Sequence, residues 1–195
     1  MHSFSIFSTR DDPKHCLVDE VPEALRPKKW RISEGLPTEH HYPSDVVLTM
    51  YKGHKGVVVP DMVSNTNRIT IVSSKLKSLL EQHSGARIEF LPASIANHKG
   101  RVAAKDYFIA NVLDHVDCVD KQRSEVEELN PDPTLLSGLF RLQVLPDRIP
   151  PESKLFRLKT LPTAILIRDD LRALLDAENL TGVRYIAMGE ECALY

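Results

Sequence analysis

The side chains that could do chemistry fall into four groups. Asp114, Asp117 and Asp120 recur every three residues. On a helix, carboxylates so spaced would crowd one side and could hold a hard cation, but a calcium loop needs alternate positions and a glycine, which are absent here. The plainer reading is a solvated acidic connection, extended by Glu125, Glu127 and Glu128 toward Pro131 and Pro133. Asn97-His98-Lys99-Gly100-Arg101 sets two cations and an imidazole beside a glycine, a composition that suits an anion site and equally an ordinary turn. His40 and His41 follow Glu39, and adjacent side chains point different ways on a helix or strand, so they read as surface histidines rather than a chelating face. Cys16, Cys118 and Cys192 are odd in number, far apart and not in a C-x-x-C pair, which reads as three reduced thiols serving as small apolar residues. Asp117 beside Cys118, with Asp114 and Asp120 close by, would raise the thiol pKa, the wrong direction for a nucleophile.

No recognised catalytic pattern joins these groups. The chain lacks G-x-G-x-x-G, a Walker-type loop, a G-x-S-x-G elbow and H-E-x-x-H. The expectation is therefore no catalytic, cofactor-binding or metal-ligating residue, and no cofactor.

The elements that position these residues can be read from pattern. Residues 1–60 carry Pro13, Pro22, Pro27, Pro37, Pro43 and Pro60, so short strands and irregular turns are expected there. Phe4-Ser5-Ile6 and Asp45-Val46-Val47-Leu48 look like strands, and Trp30 is the large aromatic available to anchor this part on a core. Lys52-Gly53-His54-Lys55-Gly56 reads as a connection before the Val57-Val58-Val59 run. Residues 69–90 form a strand-helix-strand unit: β-branched Ile69 to Val72, a serine cap at Ser73 or Ser74, and an apolar face of Leu76, Leu79, Leu80 and His83. Gly85 is the stop, and Arg87 to Phe90 the second strand. A similar unit spans 164–186, with Asp169 as the cap, Leu171, Leu174 and Leu175 as the buried face, and Gly182 as the stop. Tyr107 to Leu113 is apolar almost throughout, as in a strand buried on both faces, and Asn111 would then need partners inside the sheet. Leu139-Phe140-Arg141-Leu142 and Leu155-Phe156-Arg157-Leu158 are expected to present their arginines to water and to form a hairpin near the Pro162 turn. An edge left at either copy would offer a dimer contact that flanking prolines protect. The fold class is α+β, with a mixed, largely antiparallel sheet and few helices, in a single domain 1–195 whose core is 61–195.

Composition narrows the partners. The 195 residues hold 25 Lys+Arg and 27 Asp+Glu, for a formal net charge of −2. That balance makes no electrostatic case for nucleic acid or a membrane surface. No run approaches the roughly 20 apolar residues of a membrane span, and no secretory leader is evident, so a cytoplasmic location is expected.

An ordered series of segments also resembles something known. Trp30-Arg31-Ile32-Ser33-Glu34-Gly35 is followed by Ile71-Val72-Ser73-Ser74-Lys75-Leu76, Ile88-Glu89-Phe90-Leu91-Pro92 and His98-Lys99-Gly100. Tyr107-Phe108-Ile109-Ala110-Asn111-Val112, Val116-Asp117-Cys118-Val119-Asp120, Leu155-Phe156-Arg157-Leu158 and Leu180-Thr181-Gly182-Val183-Arg184-Tyr185 complete it. From Trp30 to Ala187 the chain resembles a bacterial immunity-protein family of polymorphic toxin systems, typified by a myxobacterial member and formerly a domain of unknown function. The resemblance implies a non-enzymatic protein that binds and neutralises a cognate protein toxin by occlusion. It assigns no catalytic or contact positions. The candidate toxin contacts are the polar clusters already described: Asn97, His98, Lys99 and Arg101, with Asp114, Asp117, Asp120, Glu125, Glu127 and Glu128. An enzyme of unrecognised type and a generic regulatory interaction module are the alternatives.

Overall fold

Fourteen strands and three α-helices make up the computed structural model, which describes residues 2–38 and 42–195. His40 and His41 lie outside the described residues. In chain order the elements are β1 (Phe4–Thr9), β2 (Leu17–Glu20), α1 (Lys29–Ser33), β3 (Val47–Met50), β4 (Met62–Asn65), β5 (Ile71–Ser73) and α2 (Ser74–His83). They continue with β6 (Ile88–Ala96), β7 (Val102–Val112), β8 (His115–Val116), β9 (Glu125–Glu127), β10 (Gly138–Arg141) and β11 (Leu155–Leu158). The last four are β12 (Ile165–Arg168), α3 (Asp169–Ala177), β13 (Val183–Ala187) and β14 (Glu191–Leu194). The class is α+β, with mixed sheets in which antiparallel pairs predominate.

Six strands close a barrel in the order β2-β3-β6-β7-β5-β4, a five-stranded sheet runs β13-β1-β12-β11-β8, and a three-stranded sheet runs β14-β10-β9. The two strand-helix-strand units share one topology. β5 and β6 both pair antiparallel with β7, so they are parallel to each other, with α2 as the crossover. β12 and β13 both pair antiparallel with β1, with α3 as the crossover. Each is a split β-α-β unit, and the strand filling the gap comes from elsewhere in the chain. α2 and α3 bury Leu76, Leu80, Leu171 and Leu175 in one cluster between the barrel and the five-stranded sheet. Along β11 and β12 the faces alternate. Leu155, Ile165 and Ile167 join that cluster, while Phe156, Leu158 and Leu166 pack toward the three-stranded sheet.

The ends of α2 follow from sequence. Ser73 accepts from the Leu76 amide at 3.2 Å, and Gly85 takes φ +65° just past the helix. α3 departs from expectation at both ends. Its N-cap is Arg168, which makes no capping bond. Asp169 lies inside the first turn, where its carboxylate accepts from the amides of Ser3 and Asp170 and complements the helix dipole. The helix stops at Ala177, and Asn179 takes the left-handed conformation, φ 52°. Gly182 is instead a close-contact position: a Cβ there would sit 2.2 Å from the Met62 carbonyl oxygen.

Three further expectations are corrected. Trp30 is 49% exposed, because α1 is short and turns Ile32 inward instead, where it packs among the barrel residues with Leu25. The two Leu-Phe-Arg-Leu copies do not pair. β10 lies between β9 and β14, whereas β11 lies between β12 and β8, so neither is an edge and the hairpin is β11 with β12. Arg141 faces outward near Glu125 and Glu191, but Arg157 is 1% exposed. Its guanidinium donates to four backbone carbonyls: Val112 at 2.8 Å, Ser33 at 2.9 Å, Pro162 at 2.6 Å and Ile32 at 3.1 Å. Burial draws its pKa down to about 10, with Glu34 pulling the other way, so it stays charged at neutral pH. Gly35 takes φ +72°, and a Cβ there would lie 2.5 Å from Arg157 Cδ and from the Val112 oxygen. The Pro-rich segment is thus clamped to β7 and to the turn before β12 by one side chain.

Candidate functional site

The two polar clusters singled out by the sequence lie at opposite ends of β7. Residues 97–101 form the turn joining β6 to β7. Asn97 shapes it: its side-chain oxygen accepts from the amides of Lys99 at 2.9 Å and Arg101 at 3.2 Å, and Gly100 takes φ +73°. Lys99 and Arg101 make no side-chain ion pair with any described residue. His98 Nε2 is buried with no partner.

The acidic stretch starts at the other end, about 35 Å of extended chain away at ~3.4 Å per residue. No helix forms there, so Asp114, Asp117 and Asp120 do not share a face. Asp114 accepts from the Arg87 amide at 2.8 Å and from Arg87 Nε at 2.6 Å, closing the junction between α2 and β6. Asp120 accepts from the amides of Gln122 and Arg123, which sets a turn. Glu128 pairs with Lys121 at 2.6 Å, and Glu125 lies 3.4 Å from Arg141. Asp117 and Glu127 make no ion pair with a described residue. Most of this charge is therefore answered within the chain. The one grouping of three cation ligands among the described residues is His2, Asp169 and Asp170. Its carboxylates are already engaged by Ser3, Arg168 and Lys154.

A cleft of about 870 Å³ opens beside the acidic stretch. Asp117, Asp120 and Lys121 line it together with Arg148, Lys159 and Thr160, and Leu135 and Leu145 add apolar surface. Thr160 Oγ1 is buried there without a partner. Arg148, Lys159 and Thr160 carried no sequence signal, because nothing local in their segments tells that the chain folds them against Asp117. The sequence also missed Asp61. Burial opposes ionisation of its carboxyl, but bonds from the Thr181 amide and hydroxyl and from Ser73, with Lys75 nearby, hold it below the ordinary value. It joins the start of α2 to the loop before β13.

Asn111 is fully buried, as its strand required. Its Nδ2 donates to the Leu36 carbonyl and to Glu89, while Oδ1 has no partner. The three thiols are free and buried. Burial pushes Cys16 up to about 11, and burial with Asp117 pushes Cys118 up to about 12, so both are protonated near neutral pH.

A model of the immunity protein family Imm11 matches residues 3–190. The chain belongs to that family. The match takes in both split β-α-β units of this Imm11 chain, the Arg157 clamp, the cleft and the turn at 97–101, and of the secondary-structure elements it leaves out β14 alone. Membership points to a role in immunity to a toxin. Among curated proteins none matches the chain. No helix among the described residues is long and apolar enough to cross a membrane.

Proposed function

We propose that this protein protects the cell that makes it by binding a cognate protein toxin of a polymorphic toxin system and occluding it, without catalysing a reaction. The observation that carries this reading is the family match over residues 3–190. The side-chain chemistry supports it. Burial shifts Arg157 and the thiols of Cys16 and Cys118, which are locked in the interior, whereas catalytic groups with shifted pKa values sit in clefts open to substrate. Occlusion needs a complementary surface of roughly 800 Å² per partner with a few anchors, and no reactive group. The protein acts in the cytoplasm as a single domain, and its contact residues are drawn from the turn (Asn97, His98, Lys99, Arg101) or from the acidic stretch. Co-expression with the toxic domain encoded by the adjacent reading frame tests the reading. Growth should be rescued by the wild-type chain, and toxicity that persists with folded protein present overturns it.

A further inference from the structure

The parallel pairing of β3 with β6 sets Thr49 opposite Ala96, so the loop leaving β3 and the turn leaving β6 emerge side by side. β2 runs antiparallel to β3, with Val18 opposite Met50, which brings residues 14–16 to the same end of the barrel. The loop of residues 51–58 folds back onto them. The amides of Val57 and Val58 donate to the Lys14 carbonyl at 3.1 and 3.0 Å, and the Cys16 amide donates to the Val58 carbonyl at 2.8 Å. His54 Nε2 lies 2.8 Å from the His15 carbonyl. Gly56 permits this closeness, since a Cβ there would sit 2.0 Å from the His15 carbonyl oxygen. Three chain segments thus form one defined platform.

Its surface has two properties that its folding does not use. Tyr51, Val57, Val58 and Val102 are 44%, 58%, 52% and 50% exposed, half of the eight large apolar side chains exposed among the described residues. Scattered exposed valines need no explanation, but a group of them on one barrel end marks a contact surface. Around them stand Lys14, Lys52, Lys55, Lys99 and Arg101, none in an ion pair with a described residue. Five cations face two carboxylates, Asp11 and Asp12, and Asp12 is already engaged by the Lys14 amide at 2.9 Å. This excess belongs to a chain whose formal net charge is −2. The acidic stretch, by contrast, has spent most of its charge internally.

We infer that this end of the barrel, where the 51–58 loop, the 97–101 turn and Lys14 meet, is the toxin-docking surface, and that it receives an acidic surface of the toxin around an apolar centre. The inference rests on the function proposed above. Unpaired lysines steer and select a carboxylate-bearing partner, and the valines and Tyr51 supply desolvated contact. A protein fits better than a nucleic acid: three of the four apolar side chains are aliphatic and give bases no stacking face.

The toxic domain from the adjacent reading frame is the probe, with duplex DNA and phosphatidylserine vesicles as comparisons. Lys52→Glu with Lys99→Glu should weaken toxin binding about 100-fold, mostly through the association rate, and flatten its salt dependence. Val57→Ser with Val58→Ser should weaken it about 10-fold. Glu125→Lys with Glu128→Lys should leave it within about threefold, since rim charges remote from a contact matter little. Circular dichroism and thermal unfolding establish that each variant is folded. If the wild type binds and the Lys52/Lys99 variant binds equally well, the docking inference fails while the function reading stands. If the wild type binds no toxin, the function reading fails and takes the inference with it. Tighter binding to DNA or vesicles than to toxin overturns the acidic-protein partner.

Discussion

Replacing Arg157 by methionine keeps an unbranched apolar stem and removes all four hydrogen bonds of the guanidinium. Swapping a buried ion pair for apolar residues is often neutral, because both partners change together. Here the partners are backbone carbonyls that no substitution removes. The carbonyls of Ser33 and Pro162 accept from no other described group. Each buried carbonyl left unmet costs about 1–3 kcal/mol, so two cost about 2–6 kcal/mol, and relief from burying the charge offsets part of that. A net loss of about 3 kcal/mol is expected. For a domain of this size it lowers Tm by about 6–12 °C, at ~2–4 °C per kcal/mol. Urea unfolding followed by circular dichroism should show the midpoint falling with an unchanged slope. Arg157→Lys should recover less than half of the loss, since an ammonium has three donors on a shorter stem. A methionine variant within about 0.5 kcal/mol of wild type would refute the reasoning, because two buried carbonyls would then be unmet at no cost.

Gly35→Ala forces a Cβ against Arg157 and the Val112 oxygen at positive φ, and should cost about 2–4 kcal/mol by chemical denaturation. Combined with Arg157→Met, the loss should be less than additive, because a methionine is no longer pinned by hydrogen bonds to the carbonyls and can move off the new Cβ. Asp61→Asn should cost about 1–3 kcal/mol at neutral pH and blunt the acid limb of the stability profile. Its folded pKa lies below the ordinary 3.8, so its contribution is present above that value and is lost as pH falls through the folded pKa. The thiols act at the alkaline end. With folded values of about 11 for Cys16 and about 12 for Cys118 against an ordinary 9.0, their contribution is complete below pH 9.0 and is lost as pH rises toward 12. A thiol reagent at pH 8 should accordingly react with all three cysteines only after denaturation, and fast labelling of the native protein would contradict their burial.

The helices and their flanking strands were legible because their signals are local: Ser73 before an i, i+3, i+4 run of leucines, and Gly85 after it. Asp169 misled because a capping residue and a first-turn residue have the same composition and differ only in backbone angle. The two Leu-Phe-Arg-Leu segments are identical in sequence, yet Arg141 is exposed and Arg157 is buried. The difference lies in what packs over each strand, here α1 and Gly35, some 120 residues away. Trp30 misled by size alone, since a five-residue helix left room inside for Ile32 but not for an indole. Barrel closure was illegible because β2, β3 and β4 have four residues each and their partners are set by pairing across the chain. Of the candidate contacts, the 97–101 turn was visible as a cluster. Its companion loop at 51–58 was visible only as a connection, because their adjacency depends on the parallel pairing of β3 with β6.

β1, residues 4–9, fills the slot between two strands made some 160 residues later, whereas all six barrel strands lie within residues 17–112. During synthesis, at about 5–20 residues per second, the barrel can close while its five-stranded neighbour still lacks both strands that flank β1. For roughly ten to thirty seconds the nascent polypeptide therefore carries β1 as an unpaired apolar ribbon. On the function proposed above, a copy can act only once β12 and β13 have been made and docked, so rescue draws on copies finished before the toxin arrives.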